Sequence, residues 1–95
     1  MPFMVALTIH LHLPDNGSLK GKRKELLSLK SQLQRRFGAS VAETEHQDLW
    51  QRAGLGVVTV AGSEALAERE LRNVVDAIDA VEPGIVSRSE VEFLT

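Results

Sequence analysis

Large apolar residues recur at every second position from residue 3 to residue 13, alternating with a mixed set. Phe3, Val5, Leu7, Ile9, Leu11 and Leu13 fall on one side, and Met4, Ala6, Thr8, His10 and His12 on the other. A period of two with branched side chains predicts a strand with one well-buried face. Pro14, Asp15, Asn16 and Gly17 end it, because proline cannot donate to a ladder and glycine turns freely. The period then changes. Leu19, Leu26, Leu29, Leu33 and Phe37 recur at helical spacing, which predicts a helix over 19–37 with Ser18 as its N-cap and Gly38 as the left-handed residue that closes it. Residues 39–46 predict a second strand and 53–61 a third. Val57, Val58 and Val60 leave that third strand without a strictly polar face. Gly54 and Gly56 share one face, where the missing Cβ atoms admit a close neighbour. Ser63 caps a second helix over 64–81 with Ala67, Leu71, Val74, Ile78 and Val81 in phase. Pro83 and Gly84 stop it, and residues 85–94 form a last strand with Ile85, Val91 and Phe93 in phase.

The order β-α-β-β-α-β, with each βαβ crossover right-handed, predicts an α+β ferredoxin-like sandwich. In it a four-stranded antiparallel sheet of order 4-1-3-2 carries two helices on one face, in a single domain spanning 1–95. The other face is left with Met4, Ala6, Thr8, His10 and His12 and one of the two faces of the third strand. That surface is too apolar to stay solvated, and a second copy of the chain is its expected cover.

Composition narrows the class. The chain has 95 residues, of which 43% are hydrophobic, too high a fraction for a disordered chain, and it has no apolar run near the roughly 20 residues of a membrane span. The start MPFMVALTIH lacks the basic and small-residue marks of a secretory signal, so a cytoplasmic protein is expected. There are no cysteines, which excludes disulfides, thiolate zinc sites and cysteine nucleophiles. The formal net charge is only −2, yet residues 1–40 carry seven basic and two acidic side chains, and residues 41–95 carry four and eleven. Such a dipolar molecule attracts polyanions on one side only.

The basic side chains gather on and beside the first helix: Lys20, Lys22, Arg23, Lys24, Lys30, Arg35 and Arg36. Lysines at a helix N-terminus oppose the helix dipole, a mismatch that points to a use such as anion or RNA contact. The stretch Gly17–Lys24 lacks the spacing of a phosphate-binding loop. RNA stacking on the open sheet is disfavoured, because the third strand has no aromatic residue. His10 and His12 point the same way. His46, on a strand two positions away, is expected about 10 Å to the side, too far to share an ion with them. Glu43, Glu45, His46 and Asp48 cluster in sequence, but strict alternation separates the two glutamates from His46. Trp50, the only tryptophan, sits among His46, Asp48 and Arg52 and anchors either the hairpin or an interface.

Together these segments carry a resemblance. Ser18-Leu19-Lys20 followed by Lys22-Arg23, the basic helix ending Arg36-Phe37, Ser40-Val41-Ala42-Glu43, and above all the block His46-Gln47-Asp48-Leu49-Trp50-Gln51-Arg52-Ala53 resemble the YlxP-like family of small bacterial proteins, a domain of unknown function. Gly21 and Gly38-Ala39 depart from the family pattern in loops and caps. The resemblance implies a ferredoxin-like fold, a dimer, and an association with the ribosome or RNA, because such proteins are often encoded beside translation-initiation and ribosome-maturation factors. It supplies no catalytic residues.

The resulting expectation is a cytoplasmic, non-enzymatic homodimer that contacts ribosomal RNA through the seven cations of its first helix. No cofactor, metal, membrane or DNA partner is expected. His10, His12, His46, Asp48, Trp50 and Arg52 are the candidate interface. The rival expectation is a protein-interaction module that docks through the sheet or the Trp50 hairpin and touches no nucleic acid.

Overall fold

The computed structural model describes residues 3–13, 17–46, 49 and 51–94. Along the chain run β1 (Phe3–His12), α1 (Leu19–Phe37), β2 (Ser40–Glu45), β3 (Arg52–Ala61), α2 (Glu64–Val81) and β4 (Val86–Phe93). The strands form one sheet of order β2-β3-β1-β4 with every neighbouring pair antiparallel. This is the expected order read from its opposite edge, and the fold is the ferredoxin-like α+β sandwich. Both helices begin where a serine can accept an orphan amide. The Gly21 N–H donates to Ser18 Oγ, and the Leu66 N–H to Ser63 Oγ. Gly38 closes α1 at φ 61°, a conformation that costs glycine no steric clash. The predicted turn at Pro14, Asp15 and Asn16 lies outside the described residues.

The core lies between the sheet and the two helices. Val5, Leu7, Ile9 and Leu11 of β1 and Ala53, Leu55 and Val57 of β3 meet Leu26, Leu29 and Leu33 of α1 and Ala67, Val74, Ala77 and Ile78 of α2. Each fully buried valine, leucine or isoleucine contributes roughly 1.5–3 kcal/mol relative to exposure. With Leu55 and Val57 facing the helices, the pleat turns Gly54, Gly56, Val58 and Val60 to the open face. There they pair in register with His10, Thr8, Ala6 and Met4.

Two irregularities interrupt the ladder, one in each edge strand and both at the same end of the sheet. In β2 the register shifts between Glu43, opposite Leu55, and Glu45, opposite Gly54. Thr44 is therefore the extra residue. In β4 Arg88 pairs with His10 but Val86 with Leu11, so Ser87 is the extra residue. Its hydroxyl donates to the His10 carbonyl at 3.1 Å. A bulge of this kind re-aims every side chain beyond it, and here both bulges bracket His10.

Candidate functional site

The β2 bulge decides which side chains share the open face. Val41 and Glu43 point toward the helices, and unbroken alternation would send Glu45 the same way. The extra residue reverses Glu45, which emerges on the far face beside Gly54. A Cβ placed on Gly54 would lie 2.8 Å from Glu45 Cβ, so the glycine is what lets this side chain lean across β3. It thereby reaches His10 on the next strand, with His10 Nδ1 3.6 Å from Glu45 Oε2. His46 follows the strand in the left-handed region at φ 59°, a conformation rare for a residue with a side chain. Its Nε2 stands 3.9 Å from the same Glu45 oxygen.

Two sequence expectations are corrected by this geometry. The 10 Å separation between the strands of His10 and His46 does not keep their side chains apart, because Gly54 leaves the intervening strand bare. The two imidazole rings lie with centroids 6.4 Å apart. Nor does alternation separate Glu45 from His46. The bulge joins them and sends Glu43 alone to the helix side. His10, Glu45 and His46, with His12, Arg52 and Arg88, line an open cavity of about 550 Å³. On the other flank of His10, Glu90 Oε1 is 3.9 Å from its Nε2 and 3.0 Å from Arg88 Nε.

Lys22 accounts for the placement of His46. Its side chain is 0% exposed. Its ammonium donates to the carbonyls of His46 at 2.7 Å, Leu49 at 2.5 Å and Arg52 at 3.1 Å. It also pairs with Glu43 Oε2 at 2.8 Å. Four oxygens surround one buried charge, the condition under which a buried cation is tolerated. Lys22 is therefore withdrawn from the polyanion-binding set: it cannot reach a solvent-borne phosphate, and it pins the first turn of α1 to the β2–β3 connection. A signal for this was present in the helical stripe. The seven-residue gap between Leu19 and Leu26 is where the periodicity requires an inward side chain, and Lys22 fills it.

The remaining cations of α1 stay outside. Lys20, Arg23, Lys24, Arg35 and Arg36 are exposed and Lys30 is half-buried. None of the six makes an ion pair among the described residues. Glu25 is the only acidic residue on the helix. Of the six candidate interface residues, His10 and His46 meet at the cavity, and His12 and Arg52 are exposed at its rim. Asp48 and Trp50 lie outside the described residues.

Comparison with known proteins agrees with this architecture. A family model described as "Protein of unknown function (DUF503)" matches residues 4–91. The uncharacterized protein YlxP of Bacillus subtilis (strain 168) is 39% identical over 66 residues, covering 70% of this chain and 72% of that protein. The de novo designed protein Ferredog-Diesel superimposes with a TM-score of 0.51 at 22% identity, over 94% of this chain and 83% of that one, a likeness of fold alone. The chain belongs to the DUF503 family and is similar to YlxP.

Proposed function

We propose that this protein is a homodimeric, non-catalytic binding protein of the cytoplasm that contacts ribosomal RNA through the outward face of α1. One observation carries the reading. Six cations, Lys20, Arg23, Lys24, Lys30, Arg35 and Arg36, run along a single helix with no carboxylate partner among the described residues. From Lys20 to Arg36 they extend about 24 Å at the helical rise per residue. Lys20, Lys24, Ser31 and Arg35 follow one another at spacings of four, seven and four, so Lys20, Lys24 and Arg35 project from one side, with Arg23, Lys30 and Arg36 on its flanks. The chain as a whole is acidic at −2, so the charge on this helix is local, and polyanion contact is the use that fits it. Phosphate contacts of this type fix orientation and read no bases. Structured RNA is recognised largely through shape and backbone.

Dimerisation is assigned to the open sheet face. Val58 is 39% and Val60 64% exposed on the side away from the helices, and a second copy laid on that end removes both from water. Affinity capture of tagged protein from native lysate, with and without RNase, tests the RNA reading. Ribosomal RNA is expected to accompany the native protein, and to be lost after RNase and from the Lys24→Glu/Arg35→Glu variant. A protein partner that survives both treatments would instead support the interaction-module reading.

A further inference from the structure

From the corner at the bulged end of the sheet we infer a binding site for a single late first-row divalent cation, Zn2+ in type, held by His10, Glu45 and His46. The inference is independent of RNA binding and uses a different face of the molecule. One donor atom from each residue lies within 4.8 Å of the other two. Ligands at zinc bond lengths of about 2.0–2.1 Å stand roughly 3.3 Å apart around a tetrahedral ion. The 3.6 Å from His10 Nδ1 to Glu45 Oε2 and the 3.9 Å from that oxygen to His46 Nε2 exceed this by a few tenths of an ångström, and the His10 and His46 donors, within 4.8 Å of each other, close on an ion by rotation of the two rings.

Three separate features of the chain bring these donors together, and each departs from the local rule. The Thr44 bulge turns Glu45 to the open face, Gly54 clears its path, and His46 takes a left-handed backbone whose carbonyl is held by the buried Lys22. Solvation of three polar groups requires none of them. His10 is also well enclosed. Its side chain is only 12% exposed. With Nδ1 facing Glu45, ligation through Nδ1 needs the proton on Nε2, which the Glu90 carboxylate 3.9 Å away can accept. Arg52 is one cation at the cavity; the other, Arg88, is a donor only, with Nη2 3.3 Å from His10 Nε2, a contact that must open for Nε2 to carry the proton. The 3.0 Å ion pair of Arg88 with Glu90 offsets its charge. Two imidazoles and one carboxylate select zinc or a neighbouring transition ion over Mg2+ and Ca2+, which prefer oxygen donors. All three ligands also line the open cavity, so a water or small anion can occupy a fourth position.

The test is titration of the purified full chain with Zn2+ alone by calorimetry, and with Co2+ followed by visible absorption. One ion per chain is expected, with the cobalt bands of a low-coordinate N/O site. Millimolar Mg2+ should fail to compete. His10→Ala and His46→Ala should each weaken binding at least tenfold while the far-UV dichroism and melting temperature of the metal-free protein are retained. His12→Ala, which removes an exposed histidine at the cavity rim, should leave affinity within twofold. If His10→Ala proves unfolded, Glu45→Gln serves in its place, with loss of the cobalt bands expected. Absence of saturable binding overturns the inference. So does undiminished binding in the His46 variant, or an equal loss in the His12 variant.

Discussion

Replacing Lys22 by methionine keeps most of the aliphatic stem and removes the charge, and the structure sets the size of the consequence. The side chain is fully buried, and its ammonium serves Glu43 and three main-chain carbonyls. Removing one partner of a buried ion pair costs about 3–5 kcal/mol, because the other charge is left uncompensated. The freed carbonyls add to this unless water enters. A domain of this length has a total stability of roughly 5–14 kcal/mol, so Lys22→Met should consume a large share of it. Urea unfolding followed by far-UV dichroism reads the loss as a lower midpoint at an unchanged slope. The companion variant Lys22→Met/Glu43→Leu, which leaves no orphaned carboxylate, should regain about 1–2 kcal/mol of the loss. A cost below about 1 kcal/mol for Lys22→Met, against the range for a buried pair, would refute the claim that this ammonium is an enclosed structural tie. It would return Lys22 to the solvent-facing basic set.

Other consequences are as specific. Gly54→Ala should destabilise by about 1–3 kcal/mol in the same assay, since its Cβ collides with Glu45. In a strand without that approach, alanine would be neutral or better than glycine, so an unchanged or raised midpoint contradicts the packing described. Leu33→Ala, at a site 2% exposed between helix and sheet, should cost about 2–5 kcal/mol by the same measurement. Val60→Lys should shift the protein from dimer to monomer in sedimentation velocity with its melting temperature kept. A dimer that persists unchanged would move the contact away from this end of the open face.

The layout was legible because it rests on two periods. The alternation from Phe3 to Leu13 and the stripes through Leu26–Leu29–Leu33 and Ala67–Val74–Ile78 place strands and helices where they are found, and the serines and Gly38 mark the helix ends. Burial enforces those patterns at every turn, so they are written in the composition of each face. The site was less legible because it depends on exceptions. A bulge inserts one residue and leaves no compositional mark. Ala-Glu-Thr-Glu-His reads as plain alternation, and the reversal of Glu45 appears only once Gly54 is seen opposite it. The two glycines did signal a close approach, and Glu45 and Thr44 are the side chains that make it. The burial of Lys22 is hidden in the sequence for a related reason. A lysine next to Arg23 and Lys24 looks like part of a solvated basic turn, and only the acceptors offered by Glu43 and a distant loop make its burial favourable. Long-range pairing of that kind has no local period.

Whether the outward cations of α1 hold ribosomal RNA is read out by fluorescence anisotropy with a labelled, structured ribosomal RNA fragment across a series of KCl concentrations. The affinity should fall steeply and log-linearly with salt, with a slope that shrinks by about 0.7–0.9 for each phosphate contact removed, and binding should be almost lost in Lys24→Glu/Arg35→Glu. Binding that ignores salt, or that the double variant leaves intact, would contradict RNA contact through α1.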